Sequence, residues 1–367
     1  MRVEIGEQPE ALRRTFAALL PLAGDLAVLA RETTQVLFIA RGSSDNAAVY
    51  GQYLCSARGG RLASLASPSL ATVYGADLDL RGVLAVAVSQ SGATGEIVAT
   101  LDWARRAGAR AVAVTNVAGS PLTEVAEVAL VTQAGEELAV PATKTYTTQL
   151  AAMAVLALAL GTTRPEPGPG PAGGTRPRVG AGPAGGARNG IGAEELEQVP
   201  DAVAAMLEVA PAAEALAERL TYAGTLVVSG RGYAYSTALE LALKLKESCY
   251  VTAVGLSYAD LVHGPIAIVD EQTPALLVAA ADGPILPEMT ALARRIAGTG
   301  AHVYGIGGDR EFAAACRTVL PAPSLPEHLA PFALAVPGQL LAEALARAKG
   351  IDPDAPRGLN KVTQTDS

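Results

Sequence analysis

Cysteine and histidine are scarce in this chain of 367 residues, and each shortage excludes a class of site. Cys55, Cys249 and Cys316 are odd in number, far apart and without a CxxC pair, which excludes a disulfide framework and a cysteine zinc site. The three histidines are equally scattered, and none is paired with another at metal-ligand spacing. We therefore expect no metal and no other cofactor.

Charge and long apolar runs are also limited. Only 17% of the residues are charged, and the net charge of -8 is spread without long basic or acidic stretches. That distribution argues against nucleic acid or an anionic membrane as the main partner. No uninterrupted run of about 18 apolar residues and no N-terminal signal pattern is found. The sequence predicts a soluble cytoplasmic protein.

Lysine is rarer than arginine by a wide margin. Of 28 basic residues only five are lysines, at positions 144, 244, 246, 349 and 361. Arginine stays protonated in proteins, whereas lysine offers a compact ammonium that can lose its proton. Each remaining lysine is therefore a candidate for a site that needs a titratable amine.

The chain divides into two halves around a segment rich in proline and glycine. Such a composition cannot support a packed core and is typical of a linker. We predict an N-terminal helical segment (1–30), a first domain (31–163), the linker (164–193), a second domain (194–350) and a C-terminal tail (351–367).

Both halves alternate short apolar runs with helical segments. Strands are predicted at 35–40, 83–89, 110–117 and 128–132 in the first half, and at 225–230, 274–281 and 301–307 in the second. This alternation predicts an α/β fold in which each half is a parallel sheet flanked by helices, a flavodoxin-like or Rossmann-like three-layer sandwich. Arg41-Gly42 superposes on Arg231-Gly232 at an offset of 190, which indicates a tandem repeat.

Two serine-rich turns follow strands of the first half. Ser43 and Ser44 come after the first strand, and "SQSGAT" (89–94) comes after the next predicted one. Hydroxyls and backbone N–H groups at helix N-termini form a cradle for an anion such as phosphate. Ordinary N-capping is the better explanation of a single turn of this kind, and two such turns on neighbouring strands make phosphate binding an equal alternative. No GxGxxG follows a predicted strand, since "SGRGYAYS" lacks the third glycine, and GxxxxGK[ST] does not occur, so a sugar phosphate fits better than a nucleotide.

The second half carries a helical segment, "STALELALKLKESCY", with charges on one face. Helical spacing places Glu240, Lys244 and Glu247 together, which is either a solvated ion-pair stripe or a catalytic pair. His263 follows, ahead of Gly-Pro and an apolar, strand-like run. A lone histidine is more often structural than catalytic.

Several motifs resemble one family closely. "RGSSDNA", "SQSGAT", "GEELAVPATKTYTTQL", "GRGYAYSTALELALKLKESCY", "HGPIAIVD" and "PRGLNK" occur in the order found in the isomerase half of the glutamine:fructose-6-phosphate aminotransferases. That half is a tandem of sugar isomerase (SIS) domains. The resemblance spans nearly the whole chain outside the linker, and it implies the tandem SIS fold and an amino-sugar phosphate as substrate.

The resemblance also implies roles for individual residues. It makes Ser44, Ser89, Gln90, Ser91 and Thr94 phosphate contacts, and it places Ser43, Val140 and Ala142 beside the sugar. It makes Glu247 the base that moves a proton between C1 and C2, with Lys244 as its support. His263 becomes the residue that assists ring opening, lent by the partner subunit of a homodimer. Lys361 becomes the amine that forms an imine with the open-chain ketose.

The sequence departs from that family at a few places. It contains no counterpart of the glutaminase half, so we expect no ammonia to be produced from glutamine. Pro141 and Ala142 replace Ala-Ser beside the sugar, Ala93 replaces Glu, and Val262 replaces Lys. Arg41 introduces a large cation where a small residue is usual. These changes leave the proton-transfer residues in place and alter the polarity around them.

Three functions remain open from the sequence. The first is isomerisation and deamination of glucosamine 6-phosphate to fructose 6-phosphate. The second is a lyase reaction on N-acetylglucosamine 6-phosphate, in which loss of the C2 proton is followed by elimination of the C3 hydroxyl. The third is a non-catalytic module that senses sugar phosphates, and it predicts phosphate-binding turns without the base, histidine and lysine.

Overall fold

The computed structural model describes residues 1–163 and 190–361. Within them, ten strands form two parallel sheets of five. The strands are β1 (Gln35–Ile39), β2 (Leu62–Leu65), β3 (Val83–Val88), β4 (Arg110–Thr115), β5 (Val128–Val131), β6 (Thr225–Gly230), β7 (Thr252–Ser257), β8 (Ala275–Ala279), β9 (Val303–Gly307) and β10 (Thr318–Leu320). Most of the predicted linker, residues 164–189, lies outside the described residues, as do residues 362–367 of the predicted tail.

The two sheets have the same topology. The first has the order β2-β1-β3-β4-β5 and the second β7-β6-β8-β9-β10, and every pairing is parallel. In each sheet the order reverses between the first and third strands of the half. Such a switch point leaves a crevice beyond the carboxyl ends of the strands. The predicted α/β fold with two tandem parallel sheets is confirmed.

Sixteen α-helices and three short 3-10 helices connect the strands. The α-helices are α1 (Arg2–Gly6), α2 (Gln8–Leu19), α3 (Ala23–Leu29), α4 (Ser43–Ala57), α5 (Ser69–Thr72), α6 (Gly95–Arg106), α7 (Pro121–Val125), α8 (Lys144–Thr162), α9 (Ala193–Glu197), α10 (Val199–Ala205), α11 (Ala210–Leu220), α12 (Ala234–Cys249), α13 (Tyr258–Val262), α14 (Leu286–Ala297), α15 (Arg310–Ala315) and α16 (Ala330–Ala348). The 3-10 helices are Leu20–Leu22, Met206–Val209 and Pro265–Ile268. These counts refer to the described part of the chain.

Side-chain alternation along the strands builds the layers. In β3, Leu84, Val86 and Val88 point into a core shared by both halves, which also contains α4, α8, α12 and α16. Ala85 and Ala87 of the same strand point to the opposite face, where α6 packs. The second sheet has an equivalent outer layer in which α14 packs on β8. Both faces of each sheet are therefore covered, as all-parallel sheets require.

The seven predicted strands all occur, but the sequence did not reveal β2, β7 and β10. The apolar run after His263 was predicted as strand-like, and this was wrong. Pro265–Ile268 forms a 3-10 helix, because Pro265 fixes a helical φ and cannot donate to a strand ladder.

α8 alone among the described helices is long and apolar enough to cross a membrane, and 83% of its apolar window is buried inside the protein. It is the central helix of the shared core.

Candidate active site

A cavity of about 390 Å³ opens at the switch point of the first sheet. It lies beyond the ends of β1 and β3, with α12 of the second half and the C-terminal tail closing its other sides. Its lining residues are Arg41, Gly42, Ser43, Ser44, Val88, Ser89, Gln90, Ser91, Thr94, Ile97, Val140, Ala142, Lys244, Glu247, Leu359, Asn360 and Lys361.

Glycine shapes the second of the two serine turns. Gly92 has φ +62°, and a Cβ there would collide with the hydroxyl of Ser120 and with Thr115. Gly92 also donates its N–H to the carbonyl of Ser89 (3.2 Å) and accepts from Leu122 N (2.9 Å). Only glycine combines this left-handed backbone with so little space. The turn thus brings Ser89 and Ser91 around the end of β3.

The serine hydroxyls are not used as helix caps. The N-cap residue of α4 is Gly42, and Thr94 at the N-cap of α6 makes no side-chain capping bond. Gln149 Nε2 donates to Ser44 Oγ at 3.0 Å, and the hydroxyls of Ser89 and Thr94 are 3.3 Å apart. Side-chain hydroxyls and two helix N-termini therefore face one cavity, an arrangement that suits a bound anion.

The opposite wall carries a buried cation between two carboxylates. Lys244 Nζ donates to Glu247 Oε2 at 2.5 Å and lies 3.5 Å from Glu240 Oε1. Glu240 also accepts from Ser43 Oγ (2.9 Å) and from Asn46 Nδ2 (2.8 Å). The α12 network thus reaches across to α4 of the first half. Glu247, the outermost member, keeps 24% of its side chain exposed, whereas only 1% of Lys244 is exposed.

Burial and charge act in opposite directions within this network. Burial raises the pKa of Glu240, and the ammonium of Lys244 only partly opposes this effect. For Lys244, burial is the largest single influence and lowers the pKa, but the two carboxylates together outweigh it and the net shift is upward. The two carboxylates therefore favour the charged form of Lys244 beside Glu247.

The tail brings a second amine to the same cavity. Lys361 Nζ donates to Glu137 Oε2 at 2.6 Å and to the carbonyl of Ala139 at 2.7 Å. Glu137 is fully buried and also accepts from the backbone N–H of Thr143 (2.8 Å) and from the hydroxyl of Thr145 (2.6 Å). Burial works to raise the pKa of Glu137, but Lys361 and these donors outweigh it and lower the pKa.

Further contacts hold the tail in place. The backbone N–H of Val140 donates to the carbonyl of Asp354 at 3.0 Å, which joins the tail to the loop that carries Glu137. Arg357 donates its N–H to Tyr250 Oη at 2.8 Å, and its guanidinium lies 4.4 Å from the centre of that ring. Lys361 is therefore fixed over the cavity by several contacts along residues 354–361.

Eleven of the twelve predicted site residues line this one cavity. The exception is His263, which is exposed at the end of α13 and is not a lining residue within a single chain. The structure shows that these eleven residues lie around one cavity, and the roles assigned to them stay predictions.

The sequence reasoning did not identify Glu137, Asn46 and Gln149 as parts of the site. Glu137 contacts the lining residue Lys361, and Gln149 contacts the lining residue Ser44. Asn46 contacts Glu240, which does not line the cavity but pairs with Lys244. Each contact joins distant positions, such as the 224 residues that separate Glu137 from Lys361. No local pattern in the sequence distinguishes Glu137 from the adjacent Glu136, of which only Glu137 is buried. Across residues 1–163 and 190–361, no group of three or more His, Cys, Asp or Glu side chains could hold a metal ion.

Comparison with known proteins agrees with this geometry. A profile of the SIS domain matches residues 29–159 and 219–346. The chain is 32% identical over 365 residues to the glutamine–fructose-6-phosphate aminotransferase (isomerizing) of Thermococcus kodakarensis, covering 98% of this chain and 57% of that protein. The chain thus spans little more than half the length of this curated relative.

Solved structures show the same architecture. The C-terminal domain of glucosamine-fructose-6-phosphate aminotransferase from Francisella tularensis superposes with a TM-score of 0.83 at 26% identity, over 96% of this chain and 97% of that one. A glucosamine-6-phosphate deaminase from Thermotoga maritima superposes with a TM-score of 0.72 at 22% identity, over 99% of this chain and 98% of that one, and it shares the fold.

Proposed function

The chain belongs to the SIS domain family of sugar-phosphate isomerases, and on that premise we propose that it converts glucosamine 6-phosphate to fructose 6-phosphate and ammonia. One observation carries the proposal: the serine turns, the Lys244–Glu247 pair and the amine of Lys361 all face one cavity. An anion site, a base beside a cation, and an amine are the groups that this conversion requires.

The phosphate group occupies the two serine turns. Hydroxyls of Ser44, Ser89, Ser91 and Thr94 and the N-termini of α4 and α6 supply donors and favourable dipoles. With the phosphate held there, the other end of an open-chain sugar extends toward α12. Binding energy from the phosphate end thus positions C1 and C2 for proton transfer.

Glu247 moves the proton. It takes the C2 proton of the open-chain aldose while O1 accepts a proton from water, which leaves an enolamine. It then returns the proton to C1 as the C2–N bond becomes double, and the nitrogen gives a proton back to water, which leaves a C2 imine. Negative charge develops on O1 during this transfer, and the adjacent ammonium of Lys244 stabilises it in a nearly dry environment. The exposed fraction of Glu247 leaves the carboxylate accessible from the cavity.

Lys361 completes the conversion. Its amine attacks the C2 imine carbon, and ammonia leaves as the lysine imine forms. Water then hydrolyses this imine, which releases fructose 6-phosphate and restores the free amine. For this step the amine must leave Glu137 and lose a proton, since an ammonium has no electron pair with which to attack.

His263 requires a second copy of the chain. It is exposed and outside the cavity of its own chain, so in this proposal it enters the partner's cavity in a homodimer and assists ring opening. Mixing Glu247→Gln and His263→Ala proteins tests this, because hybrid dimers then contain one site with both residues intact. Recovery of activity on mixing is expected. If the two inactive variants stay inactive when mixed and hybrid dimers are detected, His263 acts within its own chain.

Elimination is the second candidate. Two observations favour it: the amine of Lys361 is already engaged by Glu137 and Ala139, and the apolar side chains of Val140 and Ala142 offer a surface for an acetamido group. On N-acetylglucosamine 6-phosphate, Glu247 would take the C2 proton and pass it to the C3 hydroxyl, which would leave as water. A purely sensory role predicts no such base beside the phosphate turns.

Proton NMR in D2O separates these functions. The protein is incubated in turn with glucosamine 6-phosphate, N-acetylglucosamine 6-phosphate and fructose 6-phosphate. Deuterium exchange at the carbon next to the carbonyl of fructose 6-phosphate, with ammonia release from glucosamine 6-phosphate, supports the proposal. An unsaturated acetamido product supports elimination. Binding without exchange or reaction of any sugar contradicts an enzymatic role.

We place this reaction in the cytoplasm, with no membrane or nucleic acid as partner, as part of the same proposal.

A further inference from the structure

An ion pair bridges the two serine turns at the rim of the cavity. Arg41, immediately before the first turn, donates from Nε to Glu96 Oε2 (3.1 Å) and from Nη2 to Glu96 Oε1 (3.0 Å). Glu96 lies in the first turn of α6, just after the second serine turn. The pair therefore joins the residue before the first serine turn to the helix after the second, and Arg41 is one of the cavity's lining residues.

Arg41 differs from the other two cations of the cavity. Lys244 and Lys361 donate to carboxylates on the far walls. Arg41 is next to the serine turns, with 51% of its side chain exposed. A guanidinium has five N–H donors in a planar fork, and Glu96 receives two of them, so the remaining edge can donate to another acceptor.

The second half contains the same pair without a usable cavity. Arg231, the repeat counterpart of Arg41, pairs with Glu288 in the first turn of α14. The crevice beside it has a volume of only about 10 Å³. The Arg–Glu pair thus occurs in both halves, but only in the first does the arginine border space that can hold a ligand. Arg231 is therefore a control for Arg41, because a purely structural role of the Arg–Glu pair would be the same in both halves.

We propose that Arg41 is a phosphate-binding residue: its guanidinium, held by Glu96, donates to the phosphate of the substrate from the open side of the serine turns. This inference rests on the proposed sugar-phosphate function. It assigns the cavity a preference for a doubly charged phosphate ester, because hydroxyls alone distinguish poorly between anions of different charge whereas a cation does so strongly.

Calorimetric titration of three proteins tests the proposal: wild type, Arg41→Ala and Arg231→Ala, each with fructose 6-phosphate and with inorganic phosphate. A half-exposed charged contact leads us to expect a Kd about tenfold higher for both ligands in Arg41→Ala. Arg231→Ala should bind like wild type. Raising the salt concentration should weaken wild-type binding more than that of Arg41→Ala, since screening acts on the charge that the variant lacks. Arg41→Lys should give an intermediate Kd, because it keeps the charge without the fork.

The outcomes separate this inference from the proposed function. If wild type binds neither ligand, the function and the inference both fail. If wild type binds both ligands and Arg41→Ala binds them equally well, the inference alone is wrong. An equal loss of affinity in Arg41→Ala and Arg231→Ala, with equal losses of thermal stability, would also overturn it, since both pairs would then act as structural clamps.

Discussion

The two sheets share a strand order, yet only the first has an open crevice where that order reverses. The first crevice holds about 390 Å³ and the second about 10 Å³. Gly42 and Gly232 occupy equivalent places with the same φ of +60°. A Cβ on Gly42 would meet nothing within 4 Å, whereas one on Gly232 would collide with the side chain of Ile285. The backbones agree, and the side chains decide which crevice can hold a ligand.

The second crevice is filled from two loops. Ile285 enters it from the segment before α14, and Glu327 enters from the segment before α16. In the first half the segments before α6 and α8 bring the smaller side chains of Thr94 and Ala142 to the crevice. α12 begins beside the filled crevice and ends beside the open one, where it supplies Lys244 and Glu247. The second half thus contributes reactive groups to a site in the first half.

The prediction with the largest expected effect concerns Glu247, the carboxylate that the second half contributes to the open crevice. Glu247→Gln should lower the rate of deuterium exchange into fructose 6-phosphate about 10³-fold, because a general base typically contributes 10²- to 10⁴-fold. Binding of fructose 6-phosphate should persist, since the serine turns are untouched. Proton NMR in D2O measures the exchange, and calorimetry measures the binding.

Glu288→Gln is the matched control for that variant. It removes the carboxylate that pairs with Arg231 beside the filled crevice, and exchange should stay within twofold of wild type. If Glu247→Gln exchanges as fast as Glu288→Gln, then α12 does not supply the base. The difference in volume between the two crevices would then not correspond to a difference in catalysis.

The second test removes the buried cation. Lys244→Met should lower the free energy of unfolding by about 3 kcal/mol at neutral pH, because Glu240 then lacks its countercharge inside the protein. Lys246→Met, on the exposed side of the same helix, should change it by less than about 0.5 kcal/mol. Urea unfolding followed by circular dichroism gives both values.

The loss in Lys244→Met should depend on pH in a defined direction. Burial raises the pKa of Glu240, so its protonated form is favoured in the folded state. Stability linked to that proton is present at low pH and is lost as pH rises through the raised pKa. The deficit of Lys244→Met relative to wild type should therefore shrink as pH is lowered. A deficit that is constant with pH would mean that lost packing, and not the uncompensated carboxylate, causes it.

The third test concerns Lys361, the tail residue that lies over the open crevice. Lys361 reaches the open crevice and is held by the buried Glu137. Glu137→Gln should speed borohydride trapping of fructose 6-phosphate on Lys361 about tenfold, because the amine must leave Glu137 before it can attack and the loss of one charge-assisted bond removes about 1.5 kcal/mol of that cost. Mass spectrometry of the tail peptide measures the trapped product. Glu136→Gln changes the adjacent, exposed carboxylate and should trap at the wild-type rate. Equal rates in the two variants would show that Glu137 does not restrain the amine.

The fold was predictable where apolar runs are long and buried on both faces. β1, β3, β4 and β8 have this pattern, and each was predicted within two residues at either end. The missed strands β2, β7 and β10 lie at sheet edges. β2 reads "LASL" and is mostly exposed, so neither β-branched residues nor a buried run marks it. β5 is the remaining edge strand, and its apolar run "VALV" made it predictable. An edge strand without such a run is specified by the neighbour it pairs with, which local patterns do not contain.

The site was predictable where motifs are contiguous. The serine turns and the spacing of Glu240, Lys244 and Glu247 are local features, and the structure brings them to one place. The contact of Ser43 with Glu240 joins positions 197 residues apart, and no local pattern encodes it. The filling of the second crevice by Glu327 was equally invisible, since that residue lies in a loop far from the turn it blocks.

The last prediction concerns Glu327, which fills the second crevice, and its expected effect is the smallest. Burial, and then the nearby Asp282, raise the pKa of Glu327 from an ordinary 4.5 to about 7, while Arg58 opposes them. A raised carboxyl pKa contributes stability that is fully present below pH 4.5 and is lost as pH rises through about 7. At pH 8 the ionised side chain therefore destabilises the filled crevice. Glu327→Gln removes that charge and should stabilise the protein by about 1 kcal/mol, a small value because Glu327 is partly exposed and its charge is screened.

Urea unfolding of wild type and Glu327→Gln between pH 5 and pH 8 measures this effect. The advantage of the variant should grow with pH and be smallest at pH 5. Glu271→Gln, an exposed carboxylate elsewhere in the second half, should show no such trend. If the advantage of Glu327→Gln were the same at every pH, then the carboxylate would fill the second crevice only by its volume, and its charge would play no part in the difference between the two crevices.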